Sequence, residues 1–441
     1  MIPRAHQLSG AKFLADKPVA ILADEPRVGK TGAAIIAADY VMAETILVVT
    51  TASGRAVWRR GFAEWSAFRR DVQIATPKDT ITAPVCIVGW PSVSDAKMLS
   101  QLLHRRWDVI ILDESHYAKS FEAKRTKAVY GEPIYGHGTS KVSIASRGRY
   151  VWCLTGTPLP NSPADIYPFM RALTPERLTS DHGPVDVSIY ADFLMRYCHV
   201  KPKKIGNGAY ARWIDVITGG RKEKLPELRD RLNGFWLRRT QADVGIGEPI
   251  YETLPLLITK KIRREIDAAG DAAKILAAAE SGSTKDLEMH LGPLRRLTGE
   301  IKARAVVEAM KEEFECGLDK VVLMAWHRDT LAILREGLAQ YGVVGIDGST
   351  SSAERERAEM RFRDDPSIRV AVNQIVAAGE AVDFSAAAEL VFVESSFVPK
   401  DMKQAALRIT NIGQKRQARV RVAMLEGSLD EALETILTRK W

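Results

Sequence analysis

The sequence predicts two doubly wound α/β domains, and three observations predict them. Short runs rich in Val and Ile recur, each followed by a helical pattern, as in parallel strands covered on both faces by helices. The runs fall into two series, at residues 19–22, 46–49, 85–88, 109–112 and 150–154, and then at 321–325, 343–346, 370–372, 390–393 and 420–425. The length of 441 residues accommodates two or more domains of roughly 100–200 residues.

Composition narrows the class. With 46% hydrophobic and 27% charged residues, the chain sits near globular averages, which excludes extended disorder. Cys86, Cys153, Cys198 and Cys316 lie far apart without a C-x-x-C pair, so neither a zinc module nor a disulfide framework is expected, and a reducing compartment fits. Met1-Ile2-Pro3-Arg4 opens no charged-then-apolar leader, so a cytoplasmic protein is expected. Residues 32–50 are the most membrane-like stretch, but Asp39 and Glu44 interrupt it. They read as a helix running into a strand, so no membrane partner is expected. The net charge of +8 favours a polyanionic partner, which charge alone does not identify.

The first run leads into Asp24-Glu25-Pro26-Arg27-Val28-Gly29-Lys30-Thr31 and an apolar helix, the strand, loop and helix order of a P-loop. Backbone N–H groups around Gly29 and at the helix N-terminus can hold phosphate oxygens, Lys30 can reach the β/γ phosphates, and Thr31 can ligate Mg²⁺. Asp24 replaces the usual first glycine. Some 80 residues on, the run at 109–112 ends in Asp113-Glu114-Ser115-His116. Asp113 can hold Mg²⁺ and Glu114 can polarise an attacking water, a division of labour that nucleotide hydrolysis requires. Residues 120–149, rich in Lys, Arg and Gly, read as a surface loop. Residues 174–300 show sparse strand signals and charged helical segments such as 268–280.

Here the chain resembles the Swi/Snf-related family of superfamily two helicase-like ATPases, with Asp113-Glu114-Ser115-His116 standing for its D-E-x-H box. Thr155-Gly156-Thr157-Pro158-Leu159-Pro160-Asn161 looks like the family's L-T-G-T-P-x-x-N element, so His116, Thr155 and Thr157 are implied to couple nucleotide to DNA. Residues 235–244, Phe235-Trp236-Leu237-Arg238-Arg239-Thr240 onward, resemble its F-x-L-R-R-T-x-x-D-V string. Arg4-Ala5-His6-Gln7 resembles the opening R-x-x-Q segment, which gives Gln7 the adenine edge. In the second half, Asp347-Gly348-Ser349-Thr350 with Arg355 resembles D-G-x-T…R. Residues 377–387 resemble A-G-G-x-G-L-N-L-x-x-A with Ala378 and Ala381 where glycines are usual. Residues 404–414 resemble Q-A-x-x-R-x-H-R-I-G-Q, with Gln404 and Arg408 matching and Asn411 in place of the second arginine. Arg408 is implied to stabilise charge developing on the γ-phosphate. With Asn411 present, either turnover is slow, or Arg408 suffices, or the position was changed on purpose.

The resemblance implies two RecA-like lobes, residues 1–245 and 296–441, joined by a helical linker or insertion at 246–295, with ATP and Mg²⁺ in the cleft. It implies ATP-driven translocation on double-stranded DNA, with a strand-separating or branch-migrating helicase and a slow-turnover ATP-responsive DNA-binding module as alternatives. Thr51, Ser53, Arg55, Gly89, Trp90, Ser349 and Thr350 match DNA-contacting loop positions. The plainer reading makes the hydroxyls helix caps and Trp90 core. Basic clusters such as 201–204 read as solvated faces. The chain begins at the adenine-reading segment and ends shortly after the last motif. We therefore expect a minimal bacterial or phage enzyme without chromatin-reading or nuclease domains, monomeric, remodelling branched DNA.

Overall fold

In the computed structural model, which describes residues 2–51, 54–120, 122–132, 142–156, 162–205, 212–268, 284–378, 382–396, 398–411, 414 and 416–438, the apolar runs become the centres of two parallel sheets. The chain divides into a unit Met1–Thr240 and a unit Gln241–Trp441. In the first, β1 (Val19–Leu22), β2 (Ile46–Thr50), β3 (Val72–Ile74), β4 (Val85–Gly89), β5 (Trp107–Asp113) and β6 (Gly148–Leu154) are followed by a separate pair, β7 (Cys198–Ile205) and β8 (Arg212–Gly220), and then by β9 (Trp236–Leu237). The main sheet runs β3-β4-β2-β5-β6-β1-β9.

Residues alternate between the two faces of this sheet. Leu47, Val49, Ile110 and Leu112 enter one core, while Ile46, Val48, Val109 and Ile111 enter the other. Burial on both faces is why these strands read as unbroken apolar runs, and each such side chain contributes about 1.5–3 kcal/mol. The helix Lys30–Tyr40 is packed equally tightly, every residue from Gly32 to Asp39 being buried.

The second unit contains β10 (Ile250–Leu256), β11 (Val321–Ala325), β12 (Val343–Ile346), β13 (Val370–Gln374), β14 (Glu389–Phe392) and β15 (Arg419–Leu425), in the order β10-β15-β14-β11-β13-β12. The long helix Thr284–Glu315 covers one face. Its Lys302 is buried against Asp430 at 2.8 Å and Glu434 at 2.9 Å of the C-terminal helix Leu429–Thr438. Burial disfavours the ammonium, but the two carboxylates outweigh it and hold the Lys302 pKa above its ordinary value.

Several expectations are corrected. Within 120–149, Lys124–Tyr130 is a helix whose Thr126, Val129 and Tyr130 are buried, because the i, i+3, i+4 spacing gives it an inward face. Among the described residues, 174–300 carry four strands, β7 to β10. Pro202 and Lys203 in β7 and the mostly exposed β10 lack the alternating pattern that marks a half-buried strand. Within the expected linker 246–295, Ile250–Leu256 pairs in register with Arg419–Leu425 as an edge strand. Most of the helical stretch 268–280 lies outside the described residues, as do 379–381. Among the described residues, no helix is long and apolar enough to cross a membrane.

Candidate active site

Loops that follow the C-terminal ends of neighbouring parallel strands converge on one edge of the sheet. In the first sheet Leu154 of β6 pairs with both Leu22 of β1 and Asp113 of β5, so the three strands end level. The loop 24–31, the carboxylates 113–114 and Thr155 are thereby brought together.

Gly29 caps the helix Lys30–Tyr40 in the left-handed region at φ 93°, and no side chain caps the helix. A Cβ at this position would lie 2.6 Å from Gln7 Nε2, so glycine answers both the backbone conformation and the close approach of Gln7. Gln7 is buried, and its Oε1 accepts from the Arg4 N–H at 3.0 Å. His6 Nε2 donates to the Val28 carbonyl at 3.0 Å, yet burial pulls its pKa below the ordinary value. Lys30 Nζ donates to the carbonyls of Asp24 at 2.7 Å and Glu25 at 3.1 Å. Thr31, next along the helix, is partly buried.

The Asp24 carboxylate does something other than line the loop. It is 1% exposed and accepts from the backbone N–H of Arg239 at 2.9 Å and from its Nε at 3.1 Å, with Nη2 on the second oxygen. Arg239 Nη1 also donates to the His6 carbonyl and to Ser9 Oγ. One guanidinium thus ties the opening helix, the loop after β1 and the segment after β9. Lys30 meets the main-chain carbonyl of Asp24.

Asp113 is partly buried. Thr50 Oγ1 donates to its Oδ2 at 2.7 Å and Trp58 Nε1 at 2.8 Å. Burial, followed by repulsion from Glu114, raises its pKa, against the opposing pull of Lys30. Glu114 adopts a left-handed backbone at φ 49°, ψ 48°, a conformation that is rare without a tight local requirement. His116 Nδ1 stands 3.1 Å from Glu114 Oε2 and 3.1 Å from Thr155 Oγ1. Because the carboxylate can only accept, the Nδ1 proton faces Glu114. Thr155 N donates to the Leu22 carbonyl, and a Cβ on Gly156 would reach Pro26 Cδ at 3.0 Å. The loop after β6 therefore lies against the loop after β1. Thr157 lies outside the described residues.

Trp90 is core: it is 1% exposed, donates from Nε1 to the Asp113 carbonyl at 2.9 Å and stacks on Tyr117. Thr51 is buried and its Oγ1 accepts from Gly54 N at 3.1 Å, capping the helix Gly54–Trp65. Arg55 stands partly exposed on that helix, and Ser53 lies outside the described residues. Thr50 and Trp58, which hold Asp113, carry no signal in a linear reading, because their importance comes from strand order alone.

In the second unit Asp347 organises the turn after β12. Ser349 Oγ and N–H donate to its Oδ1 at 2.5 and 3.0 Å, and Thr350 Oγ1 accepts from its N–H at 2.9 Å. The Ser349 hydroxyl, outweighing burial, lowers the carboxyl pKa to about 2. Arg355 donates from Nε to the Thr350 carbonyl at 3.0 Å and from Nη2 to that of Asp347 at 3.3 Å. Gln404 lies in the helix Pro399–Ala406, and the Arg408 carbonyl just beyond it accepts from Phe384 N. Asn411 Nδ2 donates to Asp383 Oδ2 at 3.0 Å and Ser385 Oγ at 3.4 Å, while Gln414 Nε2 donates to the carbonyls of Ser385 and Ala387.

The residues at the edge of the first sheet fit a nucleoside triphosphate with a divalent cation. A partly buried carboxylate within electrostatic reach of Lys30 and an uncapped helix start at Gly29 supply the donors and charges such a group needs.

Comparison with known proteins agrees with this chemistry. The SNF2-related domain profile matches residues 6–263 and the helicase conserved C-terminal domain matches residues 304–413. The chain is 27% identical over 434 residues to the DNA annealing helicase and endonuclease ZRANB3 of Homo sapiens, covering 95% of this chain and 38% of that protein. It is 28% identical over 431 residues to the SWI/SNF-related matrix-associated actin-dependent regulator of chromatin subfamily A-like protein 1 of Xenopus tropicalis, covering 95% and 42%. It thus spans about two fifths of the length of these relatives. Among solved structures, the Sulfolobus solfataricus SWI2/SNF2 ATPase core in complex with dsDNA overlaps 100% of this chain and 91% of its own, at 18% identity and a TM-score of 0.45. The match over more than half the chain, on the loops whose geometry is described above, places this protein in the SNF2-related family of superfamily two helicase-like ATPases.

Proposed function

We propose that this chain hydrolyses ATP with Mg²⁺ to drive translocation on double-stranded DNA and so remodels branched DNA. The observation that carries the reading is the meeting of Lys30, Asp113 and the Glu114–His116–Thr155 chain at the level ends of β1, β5 and β6. The relatives' printed names, a DNA annealing helicase and a chromatin regulator, support DNA as the partner.

In this reading Lys30 leaves the loop carbonyls and turns its ammonium to the β/γ phosphates, with the N–H groups after Gly29 alongside. Thr31 and Asp113 would hold Mg²⁺, which when bound neutralises charge on the phosphoryl oxygens. Thr50 and Trp58 fix the Asp113 carboxylate, so little reorganisation accompanies ligation. Glu114 orients and deprotonates the attacking water. His116 Nδ1 lies within reach of both that carboxylate and Thr155 Oγ1, so its single N–H can shift between them and pass a change at the nucleotide to the loop after β6. Arg408 stabilises the charge that develops on the transferred phosphoryl group.

The slow-turnover alternative has its own support, since Asn411 is neutral and already bonded to Asp383. Steady-state phosphate release with fork, duplex and single-stranded DNA tests both. Strong stimulation by duplex or fork supports the translocase, and a rate indifferent to DNA refutes it.

A further inference from the structure

The strands β7 and β8 form a two-stranded antiparallel ribbon that joins neither large sheet. Such a ribbon is marginal alone, and here its base is fastened to the first unit. Val200 and Ile217 pack on the main core. Arg221 donates through its N–H to the Tyr197 carbonyl at 2.8 Å and through Nε to that of Cys198 at 3.0 Å. A Cβ on Gly220 would strike Pro163 Cδ at 2.7 Å, so the ribbon leaves from direct contact with the turn after β6.

Beyond Val200 the ribbon leaves the core. From there to Ile205 it extends roughly 17 Å at about 3.3 Å per residue. Lys201 and Lys203 occupy alternate positions on the face opposite Val200, opposite Val216 and Ile214 in the partner strand. Both lysines are exposed. From 201 to 216 the ribbon sequence carries Lys201, Lys203, Lys204 and Arg212 and one acidic residue, Asp215, whose register partner is Pro202, at the position alternate to the two lysines. Lysines on open strand edges also guard against strand addition, but that purpose does not call for a tethered arm carrying four Lys and Arg residues to one acid.

We propose that the β7–β8 ribbon is a duplex-DNA contact arm, with Lys201 and Lys203 gripping the phosphate backbone. A two-stranded ribbon has the width that the major groove admits, and alternate lysines about 7 Å apart match the spacing of successive phosphates along one strand. The contact is to phosphates, so it carries no sequence preference. This inference rests on the proposed DNA partner and adds to it a site outside the family-like loops.

The test is the salt dependence of binding to a blunt duplex, measured by fluorescence anisotropy for the wild-type chain, the Lys201→Ala/Lys203→Ala pair and the Lys201→Arg/Lys203→Arg pair. Losing two phosphate contacts lowers the slope of log K against log salt by about 1.8 and weakens binding at 0.1 M salt by about tenfold or more. The arginine pair retains the wild-type slope. DNA-free ATP hydrolysis stays unchanged in all three, since neither lysine belongs to the nucleotide site. A wild-type slope in the alanine pair overturns the arm. Wild-type protein that binds duplex but shows no DNA-stimulated hydrolysis overturns the translocase reading and leaves the arm standing, and failure to bind duplex at all overturns both.

Discussion

Asp24 and Arg239 close the nucleotide loop from outside: a carboxylate 1% exposed is held by a guanidinium 215 residues later in the chain. The residue that stands where a P-loop usually has glycine therefore anchors the loop. Arg239→Ala leaves the carboxylate buried and unpaired, and we expect a loss of about 3–5 kcal/mol from the first unit. Asp24→Ala combined with Arg239→Ala should recover part of that loss. Urea unfolding of the four proteins in the cycle measures the coupling, and an Arg239→Ala variant as stable as wild type refutes it.

Lys30→Ala removes the ammonium without touching a packed core. We expect hydrolysis to fall at least about 100-fold, corresponding to a charge-assisted contact of about 3 kcal/mol, with an unchanged circular dichroism spectrum. Glu114→Gln should still bind ATP while hydrolysing it far more slowly. Wild-type turnover in Glu114→Gln removes Glu114 from the role of base.

Asp113 offers a separation of stability from activity. Its raised pKa, caused first by burial and then by Glu114, means that the folded protein binds this proton more readily than the unfolded chain does. The associated stability is present in acid and is lost as pH rises through the folded-state value. At neutral pH, Asp113→Asn keeps an oxygen for Thr50 and Trp58 and drops the charge that the site disfavours, so the nucleotide-free protein should gain stability. The gain should shrink as pH falls into the ordinary carboxylate range, and Mg²⁺-dependent hydrolysis should disappear. Thermal melts at neutral and acid pH check both signs, and a variant less stable than wild type at pH 7 contradicts the argument.

Asn411 is already spent on Asp383 and Ser385. An arginine there meets the Asp383 carboxylate first, so we expect Asn411→Arg to change DNA-stimulated turnover by less than about threefold. Arg408→Ala should lower it by about 10³ or more. A tenfold rise in Asn411→Arg, equivalent to about 1.4 kcal/mol off the barrier, would show that position 411 supplies the missing charge.

Sequence reading reached as far as the burial pattern did. Strands such as Ile46–Thr50 and Val321–Ala325, buried along their whole length, announce themselves through unbroken apolar runs. The three-residue edge strand Val72–Ile74 and the exposed β10 do not, since half-solvated edges tolerate any side chain. The ribbon was missed because Pro202 and a lysine-rich stretch read as loop. Lys30, Asp113 and Glu114 were legible from local order, strand then loop then helix. The clamp from Arg239 to Asp24 was not, because it joins segments that only the sheet order makes neighbours. Trp90 reads more readily as core than as a DNA contact, and the structure agrees by giving its indole N–H to the Asp113 carbonyl.

The placement of β9 sets an order of birth. Main-chain N–H groups of Ile21, Ala23 and Glu25 donate to the carbonyls of Phe235, Leu237 and Arg239, so the edge of the sheet that carries the nucleotide loop is completed by nearly the last residues of its unit. On a ribosome adding about 5–20 residues per second, β1 waits roughly 10–40 s for that partner. During the wait it is an open apolar edge, a natural client for a chaperone. A chain released before residue 236 would carry every phosphate-loop residue and yet lack the strand that holds them in place.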